Sequence, residues 1–249
     1  MIKTISIIVL SIIIPLSVFA DNQSGFIKAQ QAYNNSQYEQ AIELYDSIVN
    51  NNIESAAIYY NIGNAYFKMD NIPSAILYYE KAKKIEPNNS DINYNIELAN
   101  TRIADKIEAV PQFILRTVYL DIRSSMNESQ WTTVNITLFV IFLIFIVLFF
   151  TKDNKRQLWF SLAIIFLILT FISGIFGYKS FKEKTTHNSA IIFTPTIDIK
   201  SAPDTKSSTI FILHQGTKVH LIERSAKWQK IRIASGSEGW LKVDNFEEI

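Results

Sequence analysis

Three stretches of the chain are apolar without the polar face that a soluble helix shows every 3.6 residues. Val134–Phe150 and Leu158–Tyr178 carry no charge, and each predicts a helix able to cross roughly 30 Å of hydrocarbon with little spare. Trp131, Trp159 and Tyr178 stand at the ends of these segments, where amphipathic rings favour the headgroup region. Only residues 151–157 separate the two, so the spans form a hairpin that returns the chain to its starting side. Lys152, Lys155 and Arg156 favour a cytoplasmic turn, and Lys179, Lys182 and Lys184 beyond the second span pull the other way. The third stretch, Ile2–Val18, has Lys3 near its start and Ser17-Val18-Phe19-Ala20 at its end. That layout predicts a secretory signal peptide cut after Ala20, or an uncleaved anchor. Either form carries the following residues across the membrane and settles the hairpin orientation.

A different periodicity occupies residues 22–100, where similar residues return every 34 positions. Tyr38 matches Ile72, Ala41 matches Ala75, Ile42 matches Ile76, Tyr45 matches Tyr79, Tyr33 matches Phe67 and Ala29 matches Gly63. Small residues at two fixed places let paired helices approach closely, and a 34-residue period resembles the tetratricopeptide repeat (TPR). Residues 56–89 carry the clearest copy, with Tyr59, Ile62, Gly63, Tyr66, Ala75, Tyr79, Ala82 and Pro87 at the characteristic positions. The first copy has Gly25 in place of an aromatic, and the third begins at Ser90 and drifts after Leu98. About two and a half repeats result. The resemblance implies a partner-binding groove lined by Phe26, Gln30, Tyr33, Tyr60, Asn64, Phe67, Lys68, Tyr94 and Leu98, although the aromatics could equally be core between repeats.

Pro111 interrupts the segment between repeats and spans, after which Phe113, Ile114, Val118 and Ile122 share one face. Such a helix either lies in the membrane surface or caps the repeats. Asn127 and Gln130 have the spacing of a capping box leading into the first span.

From Ser189 the apolar period changes to two. Short strands are expected over 191–193, 197–199, 209–213, 219–222, 228–233 and 239–243, separated by turn signals such as Pro203-Asp204, Gln215-Gly216 and Ser235-Gly236. A closed barrel protects the edges of such a small sheet. The Gly216-Thr217-Lys218-Val219 turn and the Gly239-Trp240-Leu241 strand resemble bacterial SH3 domains. Trp228 and Trp240 are the ligand candidates there, against the alternative that they pack in the barrel.

Composition narrows the chemistry. There are 24 Lys and Arg against 23 Asp and Glu, no cysteine and three histidines. The balance gives no electrostatic reason for a nucleic-acid partner. Without cysteine there are no disulfides, thiolate metal sites or thiol nucleophiles. His187, His214 and His220 lack metal-ligand spacing. No Ser/His/Asp set appears, and Glu223, Glu238, Glu247 and Glu248 form no acid–base pair. A non-catalytic protein without metal or cofactor is expected.

The expected organisation is multidomain: signal peptide 1–20, all-α TPR solenoid 21–102, amphipathic connector 103–131, a two-helix transmembrane hairpin (132–150 and 158–178, joined by the cytoplasmic loop 151–157), linker 179–188, and a small all-β SH3-like barrel 189–249. Together with Tyr94-Asn95-Ile96-Glu97-Leu98-Ala99, Asp105-Lys106-Ile107-Glu108 and Leu213–Val219, this order resembles the BatE-like proteins of bacterial aerotolerance operons. The resemblance implies an inner-membrane scaffold with both modules in the periplasm and a role in stress tolerance. It implies partners among envelope membrane proteins, including von Willebrand A domain proteins and a MoxR-type ATPase system. The alternative is an anchor or sensor whose SH3 domain grips peptidoglycan.

Overall fold

The computed structural model describes residues 16–50, 54–108, 113–152, 154–186 and 188–249. The signal segment lies outside them over residues 1–15, as does His187. Five helices form the repeat module: α1 (Leu16–Asn34), α2 (Tyr38–Val49), α3 (Ala56–Lys68), α4 (Ile72–Ile85) and α5 (Ser90–Asn100). Helix α1 runs without a break past Ala20. Asn71 and Asn89 cap α4 and α5 by accepting from backbone N–H groups of their first turns, and Pro73 stands in the first turn of α4, where it forfeits no helix bond.

The small residues of the repeat serve close packing. Ala29, Ala41, Ala65, Ala75 and Ala82 are fully buried. A Cβ on Gly63 would stand 2.6 Å from the ring of Tyr79, itself buried among Ile62 and Ile76. Helix α4 is covered on nearly every side, with Ile72, Ala75, Ile76, Leu77, Tyr79, Glu80 and Ala82 all buried. One side meets α3 and α5, and another meets the C-terminal sheet.

That sheet has seven antiparallel strands: β1 (Ser189–Ile192), β2 (Thr196–Lys200), β3 (Thr209–His214), β4 (Lys218–Ser225), β5 (Trp228–Arg232), β6 (Glu238–Lys242) and β7 (Phe246–Glu248), in the order β3-β2-β6-β5-β4-β1-β7. Ile199 and Leu213 from one end share a core with Ala190, Ile192 and Val219 from the other, so the sheet curls around a single interior. Strand β7 has no counterpart among the expected strands. Glu247 and Glu248 lie beyond the last expected strand, yet the backbone here pairs with β1.

Strand β1 is buried on both faces. Ala190 and Ile192 enter the barrel core, while Ile191 and Phe193 pack with Ile249 into the core of the repeats. Polar contacts reinforce the joint. Lys218 donates to Glu80 at 2.6 Å, and Lys84 donates to the Ile249 oxygen at 2.8 Å and to Thr186 O at 3.1 Å. The Asp105 carboxylate accepts from the backbone N–H of His214 at 2.7 Å and from Thr217 Oγ1 at 2.6 Å, with His214 Nδ1 2.7 Å away. Gly216, at φ +88°, makes the turn between these two residues, and a Cβ there would stand 2.5 Å from Ile103. A positive φ and a pressed-in neighbour both demand glycine.

Helices α7 (Glu128–Thr151) and α8 (Arg156–Thr185) are long and apolar enough to cross a membrane, and their apolar surface is left almost wholly uncovered. Asn135 joins them, donating to Thr170 O and Ser173 Oγ at 2.7 and 2.9 Å. Asn127 and Gln130 form the capping box at the start of α7. The stretch expected as a linker after the second span is helical through Thr185. Helix α6 (Ile114–Ser124) is tied to α8: Lys179 donates to Tyr119 at 2.9 Å, and Arg123 pairs with Glu183. Its Phe113, Ile114, Val118 and Ile122 remain exposed.

Two outcomes follow from this packing. Intrinsic helix preference favours Gly63→Ala by roughly 0.5–1 kcal/mol, whereas intrusion into the Tyr79 ring costs about 1–3 kcal/mol. Packing therefore wins, and Gly63→Ala lowers the melting midpoint, with Gly63→Leu lowering it further. An unchanged midpoint in both variants would contradict the α3–α4 contact. The second outcome concerns Asp105. Burial alone would raise its carboxyl, but hydrogen bonds from Thr217 and His214 and the His214 charge together hold it below the ordinary value. A depressed acid stabilises fully above its unfolded value, about 3.9, and loses that contribution as pH falls through the lower folded value. Melting followed against pH should hold from neutrality to about pH 4 and drop below it. Asp105→Asn should cost roughly 1.5–3 kcal/mol at neutral pH and flatten that acid limb.

Candidate functional site

The nine groove candidates stand on α1, α3 and α5, whereas the contacts to the barrel come from α4 and the segment after α5. Gln30 and Lys68 are exposed, and Tyr94 is 65% exposed. The others, Leu98 among them, are half-buried. Phe26 meets the edge of Tyr45 with ring centroids 5.6 Å apart, and Tyr33 meets Tyr38 at 5.4 Å. Phe67 lies beneath the guanidinium of Arg102, 4.4 Å from its ring centre, and Arg102 also pairs with Asp70 at 3.0 Å.

Tyr60 and Asn64 belong to one polar cluster that stitches three helices together. Asn95 donates to Tyr60 Oη at 3.0 Å and to Asn64 Oδ1 at 2.9 Å, and the Tyr79 hydroxyl donates to Asn64 Oδ1 at 2.8 Å. Burial, followed by the neighbouring Tyr60 and Tyr33, pushes the Tyr79 hydroxyl above its ordinary pKa, so it remains a donor throughout the neutral range. Asn64 spends its oxygen inside the fold, which leaves Lys68, Tyr94 and Gln30 as the freest candidate side chains. Asn95, Tyr79 and Arg102 were not among the sequence candidates. The echo of Tyr60-Asn61-Ile62 in Tyr94-Asn95-Ile96 could have singled out Asn95, because it places an amide opposite the same helix pair.

The far end of this face approaches the barrel. Arg102, Asp70 and Pro73 line one cleft together with Pro195, His214 and Gln215. A ligand extending beyond Phe67 would therefore meet both modules.

On the barrel, Trp228 opens β5 opposite Lys242 and is half-buried. It lines a cleft with Thr194, Asp198, Lys200 and Asn245. Trp240 lies mid-strand in β6, opposite Lys230 and Lys200, and is also half-buried. The two indoles are thus on neighbouring strands, but only Trp228 lines that cleft. His214 is engaged with Asp105, and His220 with Ser189 Oγ at 3.1 Å. Glu238 pairs with Lys230 and Arg232, and Glu247 with Lys81. These groups act as ties within the fold.

Comparison with known families assigns two parts of the chain. Residues 56–89, spanning α3 and α4, match the tetratricopeptide repeat, and residues 195–247, spanning β2 to β7, match the bacterial SH3 domain. No curated protein matches the chain significantly. The protein therefore combines a helical module containing a tetratricopeptide repeat, two apolar helices and a C-terminal bacterial SH3 domain, a content that points to protein–protein interaction or cell-wall binding.

Proposed function

We propose that this protein is a non-catalytic, membrane-anchored scaffold of the bacterial envelope that recruits a protein partner through the face formed by α1, α3 and α5. The observation that carries this reading is the docking of the barrel against α4. The docked barrel leaves Lys68, Tyr94 and Gln30 uncovered while fixing the repeats relative to the hairpin. The same docking supports placing both modules on one side of the membrane, because modules in contact cannot lie on opposite sides of the hairpin they flank. The exposed apolar residues of α6 then rest in the headgroup layer beside the first span. With the signal segment at the front, that side is the periplasm. The resemblance to BatE-like proteins makes von Willebrand A domain proteins and a MoxR-type ATPase system the first partners to seek, in a complex linked to aerotolerance.

A second reading is supported by the Trp228 cleft, which could hold cell-wall material and make the barrel the anchor. Cross-linking in intact cells followed by recovery of the tagged chain separates the two. The scaffold reading expects partner recovery to fall sharply in Phe67→Ala/Lys68→Ala and weakly in Trp228→Ala. The opposite ranking, with sacculus binding lost in Trp228→Ala, would replace it with the anchor reading. Reporter fusions should give a periplasmic signal after Ile249 and a cytoplasmic one at Asn154. A cytoplasmic signal after Ile249 would overturn the topology.

A further inference from the structure

At the junction of repeats, barrel and hairpin lies a cavity of about 200 Å³. Its wall draws on every part of the molecule: Lys83 and Lys84 from the last turn of α4, Arg123 from α6, Ser180 and Lys184 from α8, and Lys218 from β4. Three of these cations are held in place by single carboxylates. Arg123 pairs with Glu183, Lys184 with Glu128 at 2.5 Å, and Lys218 with Glu80 at 2.6 Å. Lys84 is fixed by the Thr186 and Ile249 oxygens. Lys83 makes no ion pair among the described residues. Glu80 and Glu183 line the cavity as well, so its wall holds five cations and two carboxylates, with Glu128 reaching Lys184 from outside it. Burial, followed by the neighbouring Lys218, pushes the Lys84 ammonium below its ordinary pKa, against the opposing pull of Glu54 and Glu183.

The height of the cavity says what could fill it. The apolar stretch of α8 ends at Tyr178, so Ser180 and Lys184 lie roughly 3 and 9 Å farther along the axis. The headgroup layer of a bilayer is about 5–8 Å deep on each side. On the reading that α7 and α8 span a membrane, the cavity opens at the level of lipid phosphates. We infer that this cavity is a phosphate-binding site, with Lys83, Lys84, Arg123, Lys184 and Lys218 as its cationic wall and Ser180 as a hydroxyl donor, and that its ligand is an anionic phosphate ester. Two sources share that chemistry, a lipid headgroup and a soluble phosphate. Occupancy would join the three modules through one anion, and so couple the lipid surface to the stance of the repeats.

The test uses the full-length chain. In the first arm, the protein is taken from bilayer discs of phosphatidylcholine with and without phosphatidylglycerol, and retained lipid is counted by native mass spectrometry. In the second arm, the protein is held in lipid-free detergent and the line width of inorganic phosphate is followed by phosphorus NMR. Lys83→Glu and Ser180→Glu place a negative charge in the cavity from two different helices, and Lys206→Glu places one on a distant barrel loop. At about one factor of five per unit charge near such a surface, Ser180→Glu should reduce binding roughly fivefold and Lys83→Glu, which changes the charge by two, roughly thirtyfold. Preferential retention of phosphatidylglycerol that falls in both cavity variants, but not in Lys206→Glu, assigns the site to lipid. Phosphate broadening with the same dependence and no lipid preference assigns it to a soluble ester. Equal loss in all three variants, or no response to the cavity variants in either arm while their melting is unchanged, overturns the proposal. The detergent arm needs no membrane, so it survives even if the spanning reading fails.

Discussion

Strand β1 can satisfy its side chains only if something covers both of its faces. Ala190 and Ile192 fill the barrel interior. Ile191, pointing the other way, is as fully buried as they are, and what buries it is the repeat module. Full burial of one such side chain is worth roughly 1.5–3 kcal/mol, and Phe193 and Ile249 add to the same seam. The repeats and the barrel therefore keep two cores that meet back to back across β1. Everything else about the arrangement depends on this: the open side of the repeats, the seat of the barrel beside the hairpin, and the open cationic cavity where all parts meet.

The polar ties around the joint give it a register. Apolar contact alone would let the barrel slide along α4, since dispersion has no direction. Lys218 on Glu80, and the three donors on Asp105, are directional, and the two carboxylates that accept from them are largely shielded from water. Removing the donors leaves a shielded carboxylate uncompensated, which is costly. Rigid coupling of the two modules is then the default, and a partner bound by the repeats is held at a defined distance and angle from the apolar hairpin.

Much of this was legible in the sequence wherever a feature repeats locally. The 34-residue period gave the helix pairs, because Gly63 and Ala75 mark contacts that recur at fixed spacing. The charge-free runs gave the two apolar helices, and the Asn127–Gln130 spacing gave the cap of the first. The joint was not legible in the same way. Lys84 meets Ile249, and Asp105 meets His214, across more than a hundred residues, and no local pattern encodes such pairings. One signal was present: Ala190-Ile191-Ile192-Phe193 is apolar throughout, whereas a strand with one wet face alternates. The same logic explains the groove candidates. Their helix and register were readable, but the internal use of Asn64 depends on Asn95 and Tyr79, which the repeat period alone does not bring together.

Because the chain has no cysteine, the central claim, that the barrel is seated on α4, can be tested with an introduced pair. Glu80→Cys and Lys218→Cys remove both halves of one ion pair, a change that is often close to neutral, and place two thiols across the joint. A short bis-maleimide cross-linker, which adds one thiol at each end, applied to the full-length protein should close this pair within one chain. The pair Lys68→Cys and Lys218→Cys, with its first thiol on α3, should not close. Failure of the first pair, or equal closure of both, would contradict the seating of the barrel on α4.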